Sequence, residues 1–195
     1  LRLIAGKEAR RRIEEKGLTP DLVRLVVGAS GGPKWLILRG LDQFVFGDWL
    51  KDAKGPIDMV GSSIGAWRMT LASHPDAGAM FNAFEDAYFS YRKEDGATPE
   101  AVTKASYRIL NQIMGADVRD AIIANKARNL NIVAVRCLGA TGSQSRFLEG
   151  AGLLGAFAAN SISRPLLGNF FQRAVFHRAT VWLAQAPGQI SAGSM

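Results

Sequence analysis

Two short apolar runs, each closed by a glycine and followed by a helical pattern, dominate the first part of the chain. The runs cover residues 22–27 (LVRLVV) and 56–60 (PIDMV), and apolar residues recur at helical spacing over 35–49 and over 64–73. Short β-branched runs of this kind are typical of buried parallel strands. The alternation predicts an α/β fold with a mostly parallel sheet flanked by helices, whose ligands bind at the carboxyl ends of the strands.

The remaining pattern is mainly helical and fits one domain. Further helices are predicted over 7–16, 76–92, 99–114 and 117–127, with Thr98 and Asp117 as N-caps, and a third strand over 131–137. Residues 150–176 mix glycine with large apolar residues, which indicates either a pair of core helices or an apolar flap over a site. A length of 195 residues allows one sizeable core, so we expect a single domain over 1–195.

The second glycine turn matches the pattern G-x-S-x-G and lies between a predicted strand and a predicted helix. In that context a serine is forced onto a sharp turn, and the glycines on either side relieve the crowding. Ser63 is therefore the candidate nucleophile, with Gly61 and Gly65 supporting the turn. The backbone N–H of Ile64 is a candidate donor to an oxyanion, because it lies at the start of a helix. The alternative is a structural Gly/Ser turn.

The first glycine turn, Gly28 to Lys34 (GASGGPK), also joins a strand to a helix. Consecutive glycines allow successive N–H groups to converge on one anion, so Gly31 and Gly32 are candidate oxyanion donors and Gly28 supports the turn. Nucleotide binding is the rival interpretation, although the spacing fits neither the P-loop nor the G-x-G-x-x-G pattern. Lys34 is interpreted as a cap or surface charge near the anion site.

Together, GGPK and GSSIG resemble the patatin-like phospholipase family, in its bacterial branch, over about residues 1–175. The resemblance implies a three-layer sandwich and a lipid acyl hydrolase that needs no cofactor or metal and uses a Ser–Asp dyad without histidine. It implies that Ser63 attacks the ester of a lipid or acyl-ester substrate, and that Gly31 and Gly32 hold the oxyanion, with Ile64 as a further donor. An acyl-enzyme would form and be hydrolysed.

The chain departs from the family at the dyad aspartate, which the family carries in an Asp-Gly-Gly or Asp-Gly-Ala element on a later strand. No such element follows residue 176, and no Asp or Glu follows Glu149. Asp95-Gly96-Ala97 has the right letters but falls between two predicted helices, where it is interpreted as a turn. We therefore expect a domain that is incomplete at its C-terminus, with an atypical tail over 177–195.

The missing aspartate leaves two other hypotheses open. The first is a non-catalytic remnant of the same fold that binds lipid or membrane. The second is an ordinary α/β-hydrolase with a Ser–His pair, which would need a separate acid and a later histidine. Neither histidine favours it, because His74 is interpreted as a C-terminal helix cap and His177 lies in the atypical tail.

The net charge of +7 favours anionic partners. No RRM, zinc-finger or helix-turn-helix signature accompanies the charge, so we expect no nucleic-acid partner. Arg10, Arg11 and Arg12 are interpreted as a solvated helix face. Residues 150–195 contain arginines and no acidic residue, which leaves peripheral contact with an anionic membrane open. Uncovered apolar surface would also favour a homo-oligomer.

A single cysteine excludes an internal disulfide and thiolate clusters, and two histidines make a zinc site improbable. Cys137 follows an apolar run and is predicted to be a small buried residue. The charged start does not resemble a secretory signal, and no apolar run approaches the ~20 residues of a membrane span. The cytoplasm is therefore the expected location.

Overall fold

The computed structural model describes residues 4–91 and 99–177, together with the backbone of Ile190–Ser191. Five strands form one sheet: β1 (Leu25–Gly28), β2 (Ile57–Gly61), β3 (Arg128–Cys137), β4 (Phe171–His177) and β5 (Ile190–Ser191). The α-helices are α1 (Lys7–Lys16), α2 (Arg39–Gly47), α3 (Ile64–Ala72), α4 (Ala77–Tyr91), α5 (Pro99–Ile113), α6 (Ala116–Ala124) and α7 (Arg146–Ile162). Short 3-10 helices cover Pro20–Leu22, Gly32–Leu38, Trp49–Asp52, Gly139–Gly142 and Arg164–Asn169.

The sheet has the strand order β1-β2-β3-β4-β5. The first three strands are parallel, β4 is antiparallel to β3, and β5 is parallel to β4. The predicted α/β fold with a mostly parallel sheet is therefore confirmed, and the arrangement is compatible with a three-layer sandwich. None of the helices in the described part of the chain combines the length and the apolar character needed to cross a bilayer.

The core lies between β2, α3 and α4. Ile57 and Met59 of β2 are fully buried, because their side chains point to the same face of the strand and are covered by α3. Phe84 of α4 is 1% exposed and stacks on Trp67 of α3 at 5.5 Å between ring centroids. Its ring also lies 4.7 Å from that of Trp35, which follows the first glycine turn. Phe84 therefore packs against the segments that follow both turns.

Several predicted elements differ in extent from those observed. The helical pattern over 35–49 forms the 3-10 helix Gly32–Leu38, then α2, then a second 3-10 helix, and Gly40 lowers the α-helical propensity of this segment. The N-cap of α6 is Gly115 rather than Asp117. Asp117 lies in the first turn of the helix, where its negative charge interacts favourably with the helix dipole. The predicted cap Thr98 and the turn Asp95-Gly96-Ala97 lie outside the described residues.

The prediction for residues 150–176 is wrong in its second half. The segment forms the end of α7, a 3-10 helix and then β4, rather than a helical pair or a flap. Large apolar residues of α7 are solvent-exposed, because the helix packs through the small residues Gly152 and Ala156. Cys137 is also exposed rather than buried, since it ends β3 beyond the last residue that pairs with β2.

Candidate active site

The two glycine turns lie side by side at one edge of the sheet. Gly28 ends β1, Gly61 ends β2, and the two residues are partners in the parallel register. The Ser30 hydroxyl donates a hydrogen bond of 3.1 Å to the carbonyl oxygen of Ser62, which joins the first turn directly to the second. The structure therefore brings together the two segments that carry the predicted site residues.

Three glycines allow this close approach. A Cβ atom at Gly65 would overlap the carbonyl group of Gly28, and a Cβ at Gly61 would overlap the carbonyl group of Gly65. A Cβ at Gly28 would lie 2.7 Å from the Gly65 carbonyl oxygen. Since each obstacle is backbone, no side-chain rotation could make room. The start of α3 consequently packs against the ends of β1 and β2 at a distance that larger residues would not permit.

Ser63 occupies the sharpest part of the second turn. Its φ of 54° and ψ of −131° make it the one non-glycine residue with positive φ among the residues that the structure describes. Such a conformation costs on the order of 1–3 kcal/mol and persists only where the surroundings impose it. Hydrogen bonds of 2.9 Å from Gly65 N–H to Ser62 and from Ala66 N–H to Ser63 hold the turn in this shape. The Ser63 side chain is exposed.

The start of α3 is suited to stabilise negative charge beside Ser63. Ser63 is the N-cap of the helix, and Ile64 is its first residue. The N–H of Ile64 therefore has no carbonyl partner within the helix, and the positive end of the helix dipole lies at the same place. An anion that forms on an atom bonded to Ser63 would meet this end of the helix.

The di-glycine bend of the first turn is exposed at the same edge. Gly32 has φ of +54° and opens the 3-10 helix Gly32–Leu38, while Gly31 precedes it with φ of 179°. A Cβ at Gly32 would meet nothing within 4 Å, so glycine is favoured there by backbone conformation rather than by space. Lys34 is exposed, and its N–H donates to the Gly31 carbonyl at 3.3 Å.

A buried ion pair that the sequence analysis missed fixes α3 against α2. Arg68 donates to both carboxylate oxygens of Asp42, at 2.6 Å from Nε and 2.5 Å from the terminal nitrogen. The side chains are only 9% and 2% exposed. A signal was present, because Asp42 stands four residues before Phe46 on the inward face of α2. A charged residue on an apolar stripe indicates a buried partner.

No general base is hydrogen-bonded to Ser63 among the described residues. Within that part of the chain the Ser63 hydroxyl makes no hydrogen bond. His74 follows the opposite end of α3, where its Nδ1 accepts the N–H of Asp76 at 3.0 Å. It does not cap α3 as predicted, because the C-cap is Ser73 and the imidazole instead binds the turn that begins α4. His177 ends β4, where its register partner is Asn131.

No cluster of three or more histidine, cysteine or carboxylate side chains suited to a metal ion occurs in residues 4–91 and 99–177. The candidate site consists of an exposed serine in a strained conformation, the N-terminus of α3 and the adjacent di-glycine bend. Comparison of the chain with models of protein families, with curated proteins and with solved structures finds no significant match.

Proposed function

We propose that this protein is a serine acyl hydrolase of the patatin-like type, with a three-layer fold and a lipid or acyl-ester substrate. The observation that carries the proposal is the backbone of Ser63, which holds positive φ between a strand and a helix. A strained serine at that point is the geometry of a nucleophile elbow, in which the hydroxyl projects above the sheet. The adjacent di-glycine bend supports the proposal, because consecutive glycines can direct their N–H groups toward one anion.

The proposed reaction begins when Ser63 Oγ attacks the carbonyl carbon of the ester. The electron pair of the C=O bond moves to oxygen, and N–H groups of Gly31, Gly32 and Ile64 stabilise the resulting oxyanion. Removing one such donor typically costs about 3 kcal/mol of transition-state stabilisation. Collapse expels the alcohol, which takes up the proton lost by Ser63, and water then releases the acid and restores the serine. The proposal assigns the nucleophile and the oxyanion donors and no residue as the proton carrier.

Covalent labelling tests the nucleophile directly. A fluorophosphonate probe is expected to label the full chain at Ser63, with mass spectrometry of the digest locating the adduct. Ser63→Ala should abolish labelling, whereas Ser62→Ala is the matched control and should retain it, because the Ser62 contribution to the turn is its carbonyl oxygen. A folded protein that is not labelled, or one labelled equally after Ser63→Ala, would contradict the proposal.

The structure weakens the nucleotide-binding alternative for the first glycine turn. Phosphate sites at glycine-rich turns use the N-terminus of an α-helix, where several N–H groups and the helix dipole point at the anion. Here the turn opens into the 3-10 helix Gly32–Leu38, which has poorer hydrogen-bond geometry. Titration calorimetry with ATP and with NAD should show no heat of binding.

The second candidate function is binding to an anionic membrane through α7. Its exposed apolar residues are Phe147, Leu148, Leu153, Leu154, Phe157 and Ile162, the most exposed being Phe147 at 83%. Arg146 opens this helix, Arg164 follows it, and no acidic residue occurs after Glu149. An apolar face with basic neighbours matches the chemistry of a negatively charged lipid surface. Sedimentation with anionic vesicles that weakens with salt, without esterase activity, would favour this function alone.

A further inference from the structure

An apolar cavity of about 270 Å³ lies beside the helix that follows Ser63. It is formed between α3, the C-terminal part of α5 and the middle of β3. Ala66, Trp67 and Thr70 line it from α3, and Leu110, Ile113 and Ile132 close it from the other two elements. No charged side chain lines the cavity. Thr70 is the one lining residue with a side-chain hydroxyl, which donates to the Ala66 carbonyl at 2.8 Å and is thereby satisfied within the helix.

Two features of the backbone place this cavity next to Ser63. Ala66, Trp67 and Thr70 lie on one face of α3, and the first two stand three and four residues after the N-cap Ser63. On the sheet side, Ile132 is the register partner of Gly61, two residues before Ser63. The lining of the cavity therefore begins about one helical turn, roughly 5 Å along α3, from the N-cap Ser63.

The lining and the volume limit what the cavity can hold. A wall of mainly apolar side chains without a charged group favours a hydrocarbon group, since most polar groups placed there would lose their hydrogen bonds to water. Its 270 Å³ fall just below the range of about 300–1,000 Å³ that is usual for small-molecule sites. Trp67 supplies a flat surface on one side, and its ring is held in place by stacking on Phe84.

We propose that this cavity binds the acyl chain of the ester whose carbonyl reaches Ser63, and that its size selects short and medium chains over long ones. The inference rests on the proposed hydrolase function. It assigns the acyl side of the substrate to the groove between α3, α5 and β3, and it leaves the alcohol side to the solvent-exposed edge that carries the di-glycine bend.

A series of p-nitrophenyl esters from acetyl to palmitoyl tests the selection. Burial of each methylene should raise kcat/KM about fourfold until the cavity is full. The values should then level off or fall well before palmitoyl. Leu110→Trp should narrow the cavity and lower the ratio of the octanoyl rate to the acetyl rate about tenfold. Tyr107→Trp is the matched control, because Tyr107 is exposed on the same helix and does not line the cavity.

A binding measurement separates this inference from the proposed function. Ser63→Ala protein should bind octanoate with a change in tryptophan fluorescence, and the added substitution Trp67→Phe should remove that change. Suppose that fluorophosphonate labels Ser63 but the rate does not depend on chain length, or octanoate does not bind. This result would overturn the assignment of the cavity and leave the proposed hydrolase function standing. A chain that binds octanoate but is never labelled at Ser63 would overturn both the hydrolase and the placing of an ester here.

Discussion

Ser63 adopts a backbone conformation that is unfavourable for a residue with a side chain. A serine with φ of 54° is strained by its Cβ atom, and the neighbouring turn bonds and glycine contacts impose that strain. Strain of this kind at an exposed polar residue indicates a functional role for the side chain. For folding alone, glycine would adopt the same turn with less conformational strain.

This strain predicts that glycine at position 63 stabilises the fold more than alanine does, which is the reverse of the usual order of these two residues. Ser63→Gly should be more stable than Ser63→Ala by about 1 kcal/mol, because the relief of positive-φ strain outweighs the greater freedom of glycine in the unfolded chain. Urea unfolding followed by circular dichroism gives the two midpoints, and neither variant should react with the fluorophosphonate. An alanine variant as stable as the glycine variant would show that the turn is not strained.

Gly65 provides the sharpest test of the close approach between the turns. Gly65→Ala should destabilise the fold by at least about 3 kcal/mol, because its methyl group would meet the Gly28 carbonyl group. The matched control is Gly40→Ala in α2, where a Cβ meets nothing within 4 Å. That variant should gain about 0.4–1 kcal/mol from its better helix propensity and a less flexible unfolded chain. Equal effects at the two sites would contradict the packing described here.

At the scale of elements, the pair of Arg68 and Asp42 fixes the position of α3 on α2. Replacing one partner alone, as in Asp42→Leu or Arg68→Met, should cost about 3–5 kcal/mol, because the remaining charge is left buried and unpaired. The double variant should recover much of that loss. Denaturant unfolding of all four proteins gives the coupling energy. The exposed pair of Arg10 and Glu14 is the control, since its removal should cost less than about 1 kcal/mol.

Helix α1 carries the electrostatic network nearest the start of the described chain. Hydrogen bonds from Arg11, and to a smaller extent from Arg12, lower the pKa of Glu8 from 4.5 to about 2. The stabilisation of α1 by ionised Glu8 should therefore be fully present above pH 4.5 and be lost as the pH falls through about 2. An NMR titration of the Glu8 side chain measures this pKa, and added salt should raise it toward its ordinary value. Titration near the ordinary value at low salt would contradict the network.

Features that depend on neighbouring residues in the sequence could be predicted, whereas features that depend on contacts between distant segments could not. The strands that end at Gly28 and Gly61 were predictable because their signals, a β-branched run and a closing glycine, are local. Strand β4 was missed because residues 171–177 (FQRAVFH) form a strand through pairing with β3, which no local pattern encodes. The exposure of Cys137 follows from where β2 stops, and the Arg68–Asp42 pair follows from how two helices pack. Both are tertiary facts.

At the scale of the whole molecule, helix α7 and the candidate site lie at the same end of the sheet. Strand β3 continues for five residues, 133–137, past its last pair with β2. The 3-10 helix Gly139–Gly142 follows at that end, and the middle of α7 packs on it, with Gly152 against Thr141. Helix α7 is therefore attached at the same end of the sheet as the turn that carries Ser63.

This arrangement predicts that anionic vesicles deliver substrate to the site. Hydrolysis of an ester dissolved in such vesicles should be faster than in neutral vesicles, and 0.5 M salt should remove most of the difference, since the Debye length falls to roughly 4 Å. Leu154→Glu should lower both vesicle binding and this rate, while hydrolysis of a water-soluble ester stays unchanged. Gln112→Glu on α5 makes the same change of charge at an exposed site away from α7 and should leave all three measurements unaffected. If Leu154→Glu released the protein from vesicles without lowering the rate on vesicle-borne ester, α7 would have no part in substrate delivery.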